Sequence, residues 1–377
     1  MISAVSVLLK SYAVRSQLFS SITNAAISLV AINGLDTPHF QQWLYVSAFY
    51  IYLQSFLRST ILEPLLQEQG DSHYLFLRSI YITSLFPIYL FVLIYLKLVV
   101  IDSVLVYLLL AYVISTIQDC NRYRYLQKSA KSIQQSDLLF LIIASLFFGI
   151  EFLCSKFTPS SFAVTLLLAA SVSNIWIQGA NRKTPKFRSD KGGIRFKVGL
   201  SNIYVLIMNN MQSTALYSYF AIDESKTLRL VYLIAAPMQV FNNLLWIYRV
   251  KEASRALSKI RFEMFENARI HILLNCSYLS VIYVVYFVWF KDSGIFFNVF
   301  CMAFGFFLSG VAGPIQGYLR LMGLHNLILQ ATIVSSTFLT TMVFMLQNVM
   351  TVNMFLLAWI GSISLGLLPL RKYLKSG

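Results

Sequence analysis

Charged residues are scarce in this chain: Asp, Glu, Lys and Arg make up 12% of its 377 residues, about half of the share usual in a soluble domain. Hydrophobic residues make up 58%, and the mean hydropathy is +0.68. This composition excludes a soluble multidomain enzyme, a disordered chain and a collagen-like chain. It predicts a polytopic membrane protein, because a membrane helix needs about 20 mostly apolar residues with little charge.

Cysteine pairs and nucleotide-binding motifs are also absent. The four cysteines form no CxxC pair and have no spacing typical of a metal site, so neither a disulfide framework nor a zinc site is expected. The sequence has no GxxxxGK[ST] motif, which excludes an ATPase site of the P-loop type within it. No Ser-His-Asp arrangement is apparent either. We therefore predict no catalytic residues, no cofactor and no bound metal.

Twelve apolar stretches are long enough to cross a membrane as helices. The pattern predicts an all-α membrane protein of about 12 transmembrane helices, arranged as two six-helix bundles around a central cavity. We expect an N-terminal bundle in residues 1–180, a basic cytoplasmic linker in 181–197 and a C-terminal bundle in 198–377. The predicted spans, numbered in chain order, are 18–34, 40–61, 74–97, 99–119, 138–154, 162–180, 198–222, 229–248, 271–290, 294–319, 327–347 and 351–370.

The basic residues are distributed unevenly between the two sides that this topology defines. With both termini in the cytoplasm, 25 of the 30 Lys and Arg residues fall at or near the inner face. Loops rich in Lys and Arg stay on the cytoplasmic side, so the distribution predicts a multi-pass protein of the cytoplasmic (inner) membrane with both termini inside. Topology thus explains the net charge of +15, and no nucleic acid is expected as a partner.

Neutral amide side chains are concentrated in the first two spans of each half. Spans 1, 2, 7 and 8 hold 12 of the 21 Asn and Gln residues found in the twelve spans. If the two halves are related by pseudo-symmetry, these four helices line one shared cavity. The alternative is that the amides form hydrogen bonds between packed helices. The amides expected at the substrate-binding site are Asn24, Gln54, Asn209, Asn210, Asn242 and Asn243.

Four ionisable residues within spans or near their ends are further candidates. Arg58 and Arg78 lie near the predicted inner ends of spans 2 and 3, and Arg229 begins span 8 on the outer side. A guanidinium group can bind two phosphate oxygens at once, so these arginines are candidate ligands for an anionic lipid headgroup. The alternative is that they extend to the membrane interface. Glu151, in the outer half of span 5, is either an ion-coupling residue or an interfacial carboxylate.

Three segments resemble bacterial polysaccharide flippases of the O-antigen type, which belong to the multidrug/oligosaccharidyl-lipid/polysaccharide exporter superfamily. Residues 31–65 resemble the first hairpin of that family, with a short polar outer turn, a nearby aromatic residue and a cytoplasmic Glu-Pro turn. Residues 192–248 resemble its repeat in the second half, and residues 310–330 resemble the junction of spans 10 and 11. His39 and Phe40 replace the glycine that is usual in the first outer turn.

The resemblance implies a transporter that is not an enzyme. Members of this family flip an undecaprenyl-diphosphate-linked oligosaccharide across the cytoplasmic membrane by alternating access, for surface polysaccharide biosynthesis. The partners that it implies are membrane lipids, the lipid-linked oligosaccharide and proteins of polysaccharide assembly. The use of an ion gradient in the family would give Glu151 a coupling role.

Three other functions stay open at this stage. A secondary transporter or exporter of another substrate would also have a 6 + 6 topology, although Gly70-Asp71 is not followed by the arginines of a common signature loop. A membrane enzyme of polysaccharide assembly is disfavoured by the short outer loops, of which the first offers only Asp36 and His39. A membrane scaffold without transport activity would lack a central cavity.

Overall fold

The computed structural model is helical, with short turns, throughout the part of the chain that it describes. This part falls into two compact units, unit 1 up to residue 179 and unit 2 from residue 224. The boundary between the units, like the predicted linker 181–197, lies outside the described residues, so the predicted division at the linker stays a prediction. The structure describes residues 12–57, 83–95, 99–125, 130–154, 156–179, 224–238, 269, 272–273, 275–284, 293–321, 325–346 and 349–376.

Unit 1 contains six described helices, one in each predicted span of the N-terminal half. Its helices are α1 (Tyr12–Gly34), α2 (Thr37–Leu57), α3 (Leu85–Tyr95), α4 (Ser103–Tyr125), α5 (Ala130–Leu153) and α6 (Pro159–Gly179). Unit 2 contains five described helices in the regions of predicted spans 8 to 12, while span 7 lies outside the described residues. These helices are α7 (224–238), α8 (275–284), α9 (Ser293–Leu321), α10 (His325–Leu346) and α11 (Val352–Ser376).

Six of the described helices, α4, α5, α6, α9, α10 and α11, are long and apolar enough to cross a membrane. Each of them coincides with a predicted span, and shorter apolar stretches occur at Leu18–Gly34 and Leu85–Tyr95. Large apolar side chains are exposed on the helices, Phe91 and Phe344 each by 69%, as expected for surfaces that face lipid tails. The prediction of an all-α, multi-pass membrane protein is confirmed.

Helix ends extend beyond the predicted span ends. α5 begins at Ala130 rather than at 138, and α11 continues to Ser376 rather than to 370. Hydropathy marks the part of a helix that lies in lipid, whereas backbone hydrogen bonding continues through polar residues. As a result, Asp137 lies inside α5 and not in the loop before it.

Packing neighbours in unit 1 are mostly not neighbours in sequence. α4 packs closely against α6 and α2, while α5 packs against α1 and α6. α1 and α2 hardly touch, although a turn of only two residues joins them. Small buried residues on α6, among them Ala163, Ala169 and Ala170, allow the close approach of helices on which packing in lipid depends.

Three turns of unit 1, α1–α2, α3–α4 and α5–α6, meet at one end, which we call the hairpin end. The Gln42 side chain of α2 donates a hydrogen bond to the Val100 backbone oxygen at 3.0 Å, and Gly34 lies directly against the Phe157 ring. We call the other end, where α1 and α5 begin and α4 and α6 end, the opposite end. The Lys and Arg distribution predicts that the hairpin end faces outward.

Unit 2 is held together by aromatic contacts and by the packing of α11 against both α9 and α10. α9 packs against α11, and a Cβ added to Gly305 of α9 would lie 2.0 Å from the Trp359 ring of α11. The Phe306 ring lies 5.7 Å from the Trp359 ring and 5.6 Å from the Tyr232 ring of α7. These contacts fix the positions of α7, α9 and α11 relative to one another.

Candidate functional site

One face of α1 is polar. Ser20, Asn24 and Ser28 follow one another at helical spacing, so their side chains share this face. The far side is apolar and exposed, with Ile22 and Leu29 each 45% exposed. An exposed apolar stripe on a membrane helix is its lipid-facing side, so the polar stripe faces away from lipid.

Asn24 is exposed even though it lies on the packed side of α1. A helix turns by about 100° per residue. Around the axis of α1, the direction of the Asn24 side chain therefore lies within about 60° of those of three buried residues, Ile27, Ser28 and Ala31. Toward the hairpin end this face is covered by neighbouring helices, whereas at the level of Asn24 it is open. The amide is therefore exposed on the side of the helix that faces away from lipid. This is the placement expected of a cavity-lining residue, and the role of Asn24 in binding stays a prediction.

Gln54 lies in a polar and aromatic chain that joins α2 to α4. Its Nε2 donates to the Tyr50 hydroxyl at 2.9 Å, and the Tyr50 and Tyr112 rings are 5.0 Å apart. The Tyr112 hydroxyl accepts a hydrogen bond from Trp43 Nε1 at 3.0 Å. At 1.5 Å per residue, Gln54 is about 10 Å farther from the hairpin end than Asn24. The structure therefore does not bring these two predicted amides together.

Arg229 lies on α7, one turn after the buried Ser225. Its guanidinium carbon is 5.3 Å from the centre of the Tyr232 ring, which is a cation–π distance, and its Nε is buried. The arginine is therefore partly buried within unit 2. The Ser225 Oγ and the Asn298 Oδ1 are buried without a hydrogen-bond partner among the described residues, and such atoms often mark positions for water or ligand atoms.

Glu151 joins α5 to α6 near the hairpin end. Ser161 Oγ donates to its Oε2 at 3.0 Å, and Thr165 Oγ1 donates to its Oε1 at 3.1 Å. The carboxylate makes no ion pair with any described residue. Because a hydroxyl group can either donate or accept, this pair of partners accommodates both the ionised and the protonated carboxyl group.

The other predicted site residues lie outside the part of the chain that the structure describes. Their proposed contacts with substrate therefore stay predictions. These residues are Arg58, Arg78, Asn209, Asn210, Asn242 and Asn243.

A buried polar network, which the sequence analysis missed, joins α4, α5 and α6 at the opposite end of unit 1. Gln118 Nε2 donates to Ser136 Oγ at 3.0 Å, and Ser136 Oγ donates to the Ser173 backbone oxygen at 2.9 Å. Asn121 Nδ2 donates to Asn174 Oδ1 at 2.9 Å. Here the amides form hydrogen bonds between packed helices, the alternative that the sequence left open.

Two carboxylates in the same region are almost fully buried, Asp119 with 3% and Asp137 with 5% exposure. Ser16 of α1 donates a hydrogen bond to Asp137 of α5, which adds a fourth helix to this end. Neither residue was predicted as a site residue, because both lie at the predicted ends of spans. A usable signal was the amide or hydroxyl beside each acid, in Gln118-Asp119 and Ser136-Asp137.

At the hairpin end, His39 lies between two carboxylates. Asp36 caps α2 by accepting a hydrogen bond from the His39 backbone N–H at 3.4 Å, and Asp102 caps α4 by accepting one from Leu105 N at 2.7 Å. His39 Nδ1 contacts Asp36, and its Nε2 is 3.3 Å from Asp102 Oδ2. Gln42 Nε2 donates to the same Asp102 oxygen at 3.1 Å. Within the described ranges, no cluster suited to a metal ion occurs.

Sequence comparisons and structural comparisons give different results. No protein-family model and no curated protein matches the sequence. A MATE transporter in complex with MaL6 has 11% identity and a TM-score of 0.63, with 98% of this chain and 98% of that chain covered. The Vibrio cholerae MATE transporter VcmN in the bent form has 12% identity and a TM-score of 0.60, with coverage of 99% and 98%. A MOP superfamily transporter from Pyrococcus furiosus has 11% identity and a TM-score of 0.60, with coverage of 98% and 95%.

At this identity, the likeness shows the fold. The neighbours have twelve helices in two lobes, this chain shares their fold, and the predicted all-α polytopic fold class is confirmed. These structural neighbours are transporters and not enzymes, which agrees with the prediction that the chain is not an enzyme. Their superfamily is also the one that the sequence resemblance indicated. One fold carries many substrates, so the substrate has to be argued from the site.

Proposed function

We propose that this chain is a membrane transporter that flips an undecaprenyl-diphosphate-linked oligosaccharide from the inner to the outer leaflet of the cytoplasmic membrane by alternating access. The observation that carries the proposal is the exposure of Asn24 on the packed face of α1, away from lipid. In a membrane, an accessible amide on such a face is costly unless it meets water or a polar ligand. The fold of MATE transporters is consistent with this use of the exposed amide.

The chemistry of the described residues suits the proposed substrate. Ser20 and Asn24 offer neutral donors and acceptors for sugar hydroxyl groups, without the desolvation cost of a charge. Arg229 offers a guanidinium group, which can bind two diphosphate oxygens. We assign Arg58 and Arg78, near the predicted inner ends of their spans, to the first contacts with the diphosphate. The isoprenoid tail stays in lipid and needs no polar site.

The energy source that we propose is an ion gradient, because the sequence has no P-loop ATPase motif. Glu151 is the coupling residue in this proposal. Gain or loss of a proton there reverses the hydrogen-bond direction with Ser161 or Thr165 and so changes how α5 is held to α6.

The proposal is tested in a strain that lacks the chain. We expect lipid-linked oligosaccharide to accumulate on the inner leaflet and surface polysaccharide to be lost, with both restored by the wild-type chain. Asn24→Leu is expected to lower the restored surface polysaccharide about tenfold, as loss of roughly 1.4 kcal/mol of binding would do. The matched control is Asn33→Leu, because Asn33 points about 180° away from Asn24 on the same helix.

Asn33 is exposed on the lipid-facing side, where its Nδ2 donates to the Leu29 backbone oxygen at 2.9 Å. It is therefore expected to tolerate leucine with full surface polysaccharide. Unchanged lipid-linked oligosaccharide levels in the deletion strain would reject the proposed substrate. Equal loss from both variants at equal protein levels would reject the role of Asn24 in binding.

A small-molecule exporter is the second candidate function. The observation that favours it is the structural likeness to a transporter described as a multidrug resistance MATE family transporter of the MOP superfamily, with 11% identity and a TM-score of 0.60. Dye efflux from cells that express the chain distinguishes the two. Efflux together with normal polysaccharide in the deletion strain would favour export, and the absence of efflux would favour the flippase.

A further inference from the structure

We propose that His39 is a proton-operated switch that holds the hairpin end of unit 1 together when it is protonated. Both of its ring nitrogens face carboxylate oxygens, Nδ1 toward Asp36 and Nε2 toward Asp102 at 3.3 Å. An ionised carboxylate only accepts hydrogen bonds, and a neutral imidazole has a single N–H group. The two contacts are therefore made together by the imidazolium form, which has two N–H donors.

Loss of the proton removes one of these two contacts. If Nδ1 is deprotonated, its lone pair faces the Asp36 carboxylate within the first turn of α2. If Nε2 is deprotonated, the lone pair faces Asp102, and the charged link between α2 and α4 is lost. Gln42 still donates to Asp102 at 3.1 Å and to Val100 O at 3.0 Å, so the deprotonated state is a weakened contact and not a complete separation.

The position of His39 suits exchange of protons with the surroundings. Its side chain is 23% exposed, and that of Asp102 is 32% exposed, so the pair is reached by solvent but is screened less than a surface pair. Histidine is the side chain that ordinarily changes charge between pH 5 and 8. Glu151 and Lys156 are the other described charges near this end, and Glu151 is held by two hydroxyl groups of α6. Lys97 lies outside the described residues.

The packing of unit 1 gives this switch a mechanical consequence. α1 and α2 hardly touch, whereas α2 packs against α4, so the position of the start of α2 depends on its hold on α4. The contact between His39 and Asp102 holds the first turn of α2 against α4. The Trp43–Tyr112 hydrogen bond holds the next turn of α2. Protonation strengthens the attachment of that first turn, and deprotonation loosens it. With the predicted orientation, the pH outside the membrane sets this state, whatever the substrate is.

Hydrogen exchange of the purified wild-type chain at pH 6 and pH 8, corrected for the intrinsic pH dependence of exchange, tests the switch. The amides at the starts of α2 and α4 are compared with those in the middle of α6. We expect the protection of the amides at the starts of α2 and α4 to fall about fivefold at pH 8, relative to that of the α6 amides. A change of this size is expected from the loss of one or two partly exposed ion pairs. His39→Gln should remove this change, while the control His73→Gln should keep it.

Asp102→Asn provides a second variant, because asparagine can cap α4 but does not carry the charge. It should also reduce the pH-dependent change. The switch is rejected if wild-type protection is equal at the two pH values, or if His39→Gln and Asp102→Asn lose protection at pH 8 as the wild type does. Since the measurement involves no transport, its outcome is independent of the proposed function.

Discussion

The two ends of unit 1 are held by different chemistry. At the opposite end, neutral hydrogen bonds among Gln118, Ser136, Asn121 and Asn174 join the helices beside two buried carboxylates, Asp119 and Asp137. At the hairpin end, His39 forms ion pairs with two partly exposed aspartates that also cap helices. Neutral hydrogen bonds do not respond to pH in the physiological range, whereas a histidine between carboxylates does.

This difference indicates how one bundle can open at one end and stay closed at the other. The network at the opposite end joins α4, α5 and α6, with Ser16–Asp137 adding α1, so these helices move as a group. α2 is not part of that network as far as the structure describes it. It is attached to α4 by the Trp43–Tyr112 bond and by the charged cluster. We therefore expect α2 to be the adjustable element of unit 1.

The largest expected effect comes from Ser136→Ala at the opposite end. The change leaves Gln118 Nε2 buried without its Ser136 partner and removes the side-chain hydrogen bond to the Ser173 backbone oxygen, which costs about 1–3 kcal/mol of stability. Thermal unfolding of the purified chain should show a lower Tm at both pH 6 and pH 8. The control is Ser145→Ala on the same helix, where Ser145 is exposed; a similar loss from both variants would contradict the importance of the network.

An intermediate effect is expected at the hairpin end from Asp102→Ala. The variant loses the cap of α4, made to Leu105 N at 2.7 Å, and the contact with His39, for a cost of about 1–2 kcal/mol. Asp102→Asn retains the cap and should cost less than half as much at pH 8. The two variants are compared by Tm at pH 8. Equal losses would show that the charge, and not the cap, supports this end at high pH.

The smallest expected effect comes from Asp36→Asn. Asp36 is 56% exposed, and an exposed ion pair contributes at most about 0.5–1 kcal/mol. Asparagine still caps α2, so we expect a Tm close to that of the wild type at pH 8 and a slightly lower Tm at pH 6. High salt should remove the difference at pH 6 because it screens exposed charges. A large loss that persists in high salt would mean that Asp36 has a buried role.

The fold was largely predictable from the sequence, because runs of about 20 apolar residues specify membrane helices almost independently of their neighbours. α6, at Pro159–Gly179, coincides with predicted span 162–180 within three residues. Helix extensions such as Ala130–Asp137 were not predictable from hydropathy, since polar residues continue a helix without changing the apolar run. Packing order was not predictable either: nothing in the sequence indicates that α4 contacts α2 and α6 more than α5.

The candidate site was predictable only in part. The exposed amide Asn24 was identified because a polar residue in a lipid-spanning helix stands out from its apolar surroundings. The partners of Glu151, by contrast, depend on how α6 lies against α5, which the sequence does not specify. His39 was noted as a departure from a glycine and as a residue of the first outer loop, but not as a partner of Asp102, which is 63 residues away in sequence and is brought near it by packing. Long-range pairs of this kind require the fold.

Flipping by the purified wild-type chain in proteoliposomes is the most direct test of the central claim that this protein moves a lipid-linked oligosaccharide across the membrane. Fluorescent undecaprenyl-diphosphate oligosaccharide would be placed in both leaflets, and the fraction reached by a membrane-impermeant quencher would be followed over time under a proton gradient. We predict that the accessible fraction rises in vesicles that contain the wild-type chain and rises about tenfold more slowly with Asn24→Leu. A rate equal to that of protein-free vesicles would contradict the account.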